Sequence, residues 1–424
     1  MKVAVIGTTL QAGVMTALLS EYGNEVSVYA GVPGSTCDTN IYEDTIRDAH
    51  LLSTLKKHAI AQRFDLIQDL QTLPMADIEC YLFCYDPAHF AEAAAFIQSL
   101  PKYYGSAKRL MINSGTFGLY GTEKLQALAP DDAWVYLPDT VQEGKSIESF
   151  LKRQKVIVGV EDAEAKRLLK ELFRPFFPLD SQYLWMPILD AELVKMSISG
   201  MLATRISYMN DLANVAEKMG IDIVNIKEGL ASDSRIGSSY LSPGAGFGGE
   251  NFSLDILMLA NVVSESGIGG RLLEQVWAIN EEQKEILFRK LWRFYQTNLK
   301  GKRIAIWGAT FKEGTSSTYN APIHQMIAAL KAQGAAISLY DPEGSEAILV
   351  QYGEDVVEIA ADKYQALTNA DALCVLTAWQ EFYSPDYYQM LALMKTPLLL
   401  DGRNMYDPEF MKAQGFIYEG VGRI

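Results

Sequence analysis

The chain has 424 residues, 49% hydrophobic and 21% charged, a length that exceeds one ordinary core and calls for two or three domains. A formal net charge of −15 and a pI near 4.9 argue against nucleic acid or an anionic membrane surface as partner, so a phosphate-bearing ligand has to find local cations or helix amides. No run of about 18 apolar residues exists to span a membrane, and the scattered cysteines (Cys37, Cys80, Cys84, Cys374) and histidines lack metal spacing, so the expectation is a cytoplasmic protein with no metal site.

In chain order, residues 3–7 read as a buried strand, 8–22 as a helix and 25–29 as a second strand, which makes a βαβ opening. Further strands are expected at 64–70, 78–84, 109–114 and 155–160 with helices between them, the alternation of a parallel, doubly wound sheet. The pattern then turns helical: a long helix over 190–220, a natural dimerisation surface, and three more helical segments up to about 299. Alternation resumes with strands at 303–307, 336–340, 372–377 and 397–400, and Arg303-Ile304-Ala305-Ile306-Trp307-Gly308 echoes Lys2-Val3-Ala4-Val5-Ile6-Gly7. The expected fold class is therefore α/β: two Rossmann-like doubly wound domains, 1–185 and 299–424, joined by an all-helical central domain, 186–298, with a long helix.

A dinucleotide-binding turn places Gly-x-Gly-x-x-Gly/Ala after the first strand and an acid at the end of the second. Here the turn is Gly7-Thr8-Thr9-Leu10-Gln11-Ala12, and the second strand ends at Ala30. Gly7 suits the tight turn and Ala12 permits close helix packing, but Thr9 stands where a glycine lets the backbone approach a pyrophosphate. Ala30 stands where a ribose-binding acid is expected, and Tyr85-Asp86-Pro87 puts a carboxylate at the end of the later strand. A second glycine-rich stretch, Gly244-Ala245-Gly246-Phe247-Gly248-Gly249, runs into Glu250-Asn251-Phe252-Ser253-Leu254-Asp255 and then an apolar helical run at 256–263. It reads as a loop that feeds a helix N-terminus with free amide donors.

This stretch resembles the active-site loop of the UDP-glucose/GDP-mannose dehydrogenase family, Gly-Phe-Gly-Gly-Ser-Cys-Phe-Pro-Lys-Asp. The cysteine, the family's nucleophile, is Asn251 here, and the cofactor-side lysine is Leu254. The resemblance covers nearly the whole chain. Pro138-Asp139-Thr140-Val141-Gln142-Glu143-Gly144 is similar to Pro-Glu-Phe-Leu-x-Glu-Gly, which implies that Asp139 stands for a glutamate handling water and protons and that Glu143 lies on the cofactor side. Ala191-Glu192-Leu193-Val194-Lys195 resembles the start of the central helix, with Lys195 at the lysine that stabilises oxyanion character near the sugar C6 and Ser199 at its companion asparagine. Arg235-Ile236-Gly237 and Tyr240-Leu241-Ser242-Pro243-Gly244 resemble loops that hold the UDP-sugar. Phe311-Lys312 and Asp401-Gly402-Arg403-Asn404 resemble motifs of the nucleotide side, whereas a cofactor-facing arginine has become Tyr319.

The resemblance therefore implies substrate contacts from Lys195, Ser199, Arg235, Tyr240, Phe247, Gly248, Lys312 and Arg403, and chemistry from Lys195, Asp255 and Asp139, with Asn251 at the nucleophile's place. NAD is the implied cofactor, with Gly7, Thr9, Leu10, Ala12, Ala30 and Glu143 as its contacts. The sugar-nucleotide side is largely kept, while Thr9, Ala30, Asp86, Leu254 and Tyr319 depart on the NAD side. Two readings follow. The first is a UDP-sugar-binding protein with C6 oxidation impaired or lost, forming a homodimer or higher oligomer. The second is an active NAD-dependent dehydrogenase working by a cysteine-independent route.

Overall fold

A computed structural model of the chain describes residues 1–31, 42, 46, 48–102, 108–267 and 271–423, so Cys37 lies outside the described residues. The chain divides into two compact units, Met1–Ile198 and Ser199–Ile424. The first unit holds one eight-stranded sheet, from β1 (Lys2–Ile6), β2 (Glu25–Tyr29), β3 (Phe64–Ile67), β4 (Cys80–Phe83), β5 (Leu110–Asn113), β6 (Ala133–Tyr136), β7 (Val156–Val160) and β8 (Tyr183–Met186). Its order is β3-β2-β1-β4-β5-β6-β7-β8. The strands β4, β5 and β6 are buried at every position, as expected for strands covered on both faces.

The second unit holds a six-stranded sheet of β9 (Arg303–Trp307), β10 (Ala336–Tyr340), β11 (Glu358–Ile359), β12 (Ala372–Val375), β13 (Leu398–Asp401) and β14 (Ile417–Gly420). The order β11-β10-β9-β12-β13-β14 repeats the topology of the first six strands, and every pairing is parallel. Each sheet therefore has a switch point, between β1 and β4 or between β9 and β12, where ligands of such folds bind at the strands' carboxyl ends.

The expected α/β architecture with a helical middle is present, with differences of detail. The pairing of β6 with β7 is antiparallel, so the first sheet is mixed at its far edge. The short strands β6, β8, β11 and β14 carry too little periodicity to stand out in the sequence. Helix α1 (Leu10–Glu21) follows β1, and α2 (Ile188–Met219) is the long helix, which begins in the first unit and ends in the second. Among the described residues four helices, not three, come next: α3 (Ile223–Ser232), α4 (Glu250–Glu265), α5 (Arg271–Gln283) and α6 (Ile286–Phe294).

The segment after β6 that carries Asp139 and Glu143 is pinned at its far end by Asp48. The Asp48 carboxylate accepts from the Ser146 backbone N–H (2.9 Å), the Ser146 hydroxyl (2.7 Å) and the Leu51 N–H (3.1 Å). Burial works to raise the carboxyl's pKa, but the hydrogen bonds from Ser146 and the Leu51 N–H outweigh it and hold Asp48 below the usual range. A carboxyl depressed in the folded state contributes stability above its unfolded pKa, and that contribution is lost as pH falls through the folded value. Asp48→Asn is accordingly expected to lower unfolding stability in urea at neutral pH by about 1–3 kcal/mol. The gap to the wild type should close as the titration is repeated below about pH 4.

Candidate functional site

In the first unit the turn after β1 is fixed by Gly7, whose φ is +120° and where an added Cβ would lie 2.0 Å from the Cys84 carbonyl oxygen. Thr9 is the N-cap of α1, and its hydroxyl accepts from the Ala12 N–H at 3.3 Å. One of the amides that would face a pyrophosphate is thus engaged by the chain's own side chain. Close packing of α1 falls at Gly13 as well as at buried Ala12, since a Cβ on Gly13 would meet Ile46 Cδ1 at 2.7 Å. Leu10 opens the helix half-buried.

Ala30 is buried at the end of β2 and offers no ribose acceptor from its side chain. Next to it, the Tyr85 hydroxyl donates to the Gly31 carbonyl at 3.1 Å and ties the loop after β4 to the loop after β2 across the end of β1. Burial pushes the adjacent Asp86 carboxyl above its ordinary range. Asp139 accepts from the Val141 N–H at 3.2 Å and closes a local turn, and Glu143 lies half-buried in the same segment. Lys195 is buried on α2, three residues beyond Glu192, whose carboxylate accepts from the Tyr120 and Thr122 N–H groups at 2.7 and 2.8 Å.

In the second unit the backbone of the glycine loop is held by several separate parts of the chain. The Gly244 N–H donates to Asn210 Oδ1 (2.9 Å), and the Gly244 carbonyl accepts from Gln283 Nε2 (2.8 Å). The Phe247 N–H donates to Asn280 Oδ1 (2.7 Å), and Asn280 Nδ2 returns a bond to the Phe247 carbonyl (3.1 Å). The Ala245 and Gly249 N–H groups donate to the Gly402 and Tyr319 carbonyls at 2.9 and 2.8 Å. These four loop amides are therefore occupied by acceptors of the protein itself. The loop also ends sooner than expected: α4 starts at Glu250, so Asn251, Leu254 and Asp255 stand on a helix. Gly249 caps that helix without a side-chain bond, and Asn251 is exposed in its first turn.

Ser199 and Asp255 come together: both are buried, and the Ser199 hydroxyl donates to Asp255 Oδ2 at 2.6 Å. Phe247 and Gly248 sit within the clamped loop, and a Cβ on Gly248 would be 2.6 Å from the Asn320 carbonyl oxygen. Arg403 Nε donates to the Leu376 carbonyl (2.6 Å), with longer reaches to the Gly246 and Phe311 carbonyls (3.5 and 3.4 Å), so its guanidinium lies along the loop. The Lys312 ammonium lies 5.6 Å from the Phe311 ring centre, and a Cβ on Gly249 would meet that ring at 2.9 Å. Arg235 stands apart: it pairs with Asp233 at 2.7 Å, and its side chain is 86% exposed. Tyr240 is exposed with φ +59°. The clamping residues Asn210, Asn280 and Gln283 were not anticipated; isolated amides on helices give no sequence signal of facing a loop.

Paired doubly wound sheets with an intervening helical run, one switch point beside a clamped glycine loop, define a two-sheet nucleotide-fold protein. Comparison with known families agrees. The UDP binding domain of the UDP-glucose/GDP-mannose dehydrogenase family matches residues 305–408, and the family's central domain matches residues 189–282. A UDP-glucose 6-dehydrogenase from Pseudomonas aeruginosa is 35% identical over 290 residues, which cover 68% of this chain and 64% of that protein. The chain thus spans somewhat less than two thirds of that relative. A UDP-glucose 6-dehydrogenase from Rhizobium meliloti is 28% identical over 431 residues, covering 93% of this chain and 98% of that one. The chain belongs to the UDP-glucose/GDP-mannose dehydrogenase family. In fold it is similar to a UDP-glucose dehydrogenase from Pyrobaculum islandicum, with a TM-score of 0.87 at 22% identity over 100% of this chain and 98% of that chain.

One residue of the first turn leaves a demand unmet. Gln11 is 1% exposed, and among the described residues neither its amide oxygen nor its amide nitrogen has a hydrogen-bond partner. Replacing it with an apolar side chain of similar length removes two buried, unpaired polar atoms. Gln11→Met is expected to raise unfolding stability by about 1–3 kcal/mol in urea titrations. Unchanged or lower stability would show that the amide is satisfied in solution.

Proposed function

We propose that the second unit binds a UDP-sugar or related nucleotide sugar, and that NAD-dependent oxidation of the sugar C6 hydroxyl is impaired or lost in this chain. The observation that carries the reading is Asn251 in the first turn of α4. By resemblance this is the place of a cysteine that captures the intermediate aldehyde, and a thiolate there would gain from the helix N-terminus. An amide is no nucleophile at neutral pH; Asn251 can hydrogen-bond a hydrate or oxyanion but cannot form the covalent intermediate. Among the described residues, Cys80, Cys84 and Cys374 are buried and their thiols are pushed up by burial, so none of them replaces it.

The first unit's turn does not fit a dinucleotide. Thr9 engages the Ala12 amide, Ala30 supplies no ribose acceptor, and the Tyr85–Gly31 bond spans the slot between the loops after β2 and β4. The rival reading, an active dehydrogenase with a cysteine-independent route, draws support from the retained Lys195 and from the buried Asp255–Ser199 pair. Calorimetric titration separates them: UDP-glucose is expected to bind and NAD to give no heat at millimolar concentration. Micromolar NAD binding would overturn the proposal. Asn251→Cys is expected to create a thiol that alkylates readily at neutral pH without producing a uronic acid.

The expected self-association has a surface to match. Met201, Tyr208 and Val215 are exposed at 63%, 53% and 48% and recur every seven residues on α2, the spacing of a helix seam. A homodimer through this stripe is part of the proposal. Val215→Asp is expected to shift the mass measured by light scattering to that of one chain, with the circular dichroism spectrum unchanged.

A further inference from the structure

We infer that Lys284 is a positioning residue: through Asn320 it sets the geometry of the glycine loop and of the first turn of α4, and thereby the affinity for a nucleotide sugar. The ligand half of this inference rests on the proposed function; the loop half does not. Lys284 follows α5, and its side chain has no exposed surface. Its ammonium donates to Glu281 Oε1 and to Asn320 Oδ1, both at 2.6 Å, and lies 5.8 Å from the Trp277 ring centre.

Asn320 passes the constraint on. Its Nδ2 donates to the buried Ser253 hydroxyl at 3.0 Å, two residues along α4 from Asn251. Its backbone carbonyl is the atom that a Gly248 Cβ would strike, and the preceding Tyr319 carbonyl accepts from the Gly249 N–H. The lysine stem touches the loop directly, since a Cβ on Gly246 would lie 2.9 Å from Lys284 Cγ. Glu281 spreads the network to Gln325 Nε2 (3.1 Å) and Asn280 Nδ2 (3.4 Å), and Asn280 holds the Phe247 peptide from both sides. One cation thus joins the end of α5, the loop leading to Pro322 and the start of α4.

A buried charge is poor value as packing, because an apolar side chain of the same length would fill the space without the desolvation cost. What the ammonium adds is direction: two short bonds to fixed acceptors hold Asn320 at one place beside Gly248. Asn320 has φ +51°, a conformation that glycine adopts freely, so Asn320→Gly removes the relay without straining the backbone. Lys284→Met keeps the stem and removes the charge, leaving Glu281, 34% exposed, to be hydrated.

The test is amide hydrogen exchange of the ligand-free full chain, read by mass spectrometry over residues 246–253, beside calorimetry with UDP-glucose. In Lys284→Met and in Asn320→Gly, exchange over this segment is expected to quicken by about tenfold, the effect of losing one buried hydrogen bond. Protection of β9 and β12 should stay at the wild-type level, and the double variant should add little to either single one. UDP-glucose affinity is expected to fall by a similar factor in both. Wild-type exchange over 246–253 in either folded variant would overturn the inference, as would additive effects in the double variant. If Lys284→Met does not fold, Asn320→Gly carries the test alone. If the wild type itself fails to bind UDP-glucose, the proposed function falls, and the exchange result still decides the positioning role.

Discussion

Backbone meets backbone around the glycine loop of the second unit, and buried side-chain amides hold it there. Asn210, Asn280 and Gln283 satisfy the peptide groups of Gly244 and Phe247 from the helices, while the chain segments at Tyr319 and Gly402 satisfy Gly249 and Ala245. There is no room for side chains: a Cβ at Gly244, Gly246, Gly248 or Gly249 would come within 2.6–2.9 Å of a neighbouring atom. A loop held this way is shaped before any ligand arrives, so a ligand seated on it does not have to order it. The same constraint fixes where α4 starts, and therefore which residue occupies its first turn.

The first six strands of the first unit have the same topology and a different use of their polar groups. At its switch point the Thr9 hydroxyl and the Tyr85 hydroxyl both bond to the chain itself. The second sheet, unlike the first, has an acid after its second strand, Asp341, but its carboxylate accepts from the Ala309, Thr310, Glu343 and Gly344 N–H groups and from Trp379 Nε1. That carboxylate organises the turn after β9. A two-sheet fold can therefore keep the architecture of a dinucleotide-binding protein while using its polar groups for internal contacts, so fold alone does not imply activity.

Strand-and-helix alternation was legible because β1, β4, β5, β9 and β12 are short apolar runs between breakers. The long helix was legible from its length. Strands β6, β8, β11 and β14 were missed because short runs carry little period; β7 was expected at 155–160, but not its antiparallel pairing, because direction is set by tertiary contacts. The glycine loop announced itself, but the extent of α4 did not: Glu250 to Asp255 reads as loop only until one sees that Gly249 is the cap. Residue types named the retained and lost positions, whereas the partners that give them meaning come from remote parts of the chain. Ser199 meets Asp255 across 56 residues of sequence, and Tyr85 meets Gly31 across 54. Lys284 reads as an ordinary surface lysine, and only its burial changes that.

The most direct measurement is a crystal structure of the chain grown with UDP-glucose and NAD both present at high concentration. The account predicts nucleotide density against the second unit's glycine loop, near Lys312 and Arg403, with no dinucleotide on the Gly7–Ala12 turn and the Tyr85–Gly31 bond intact. Well-ordered NAD lying on that turn, with the Tyr85 hydroxyl drawn away from Gly31, would contradict it.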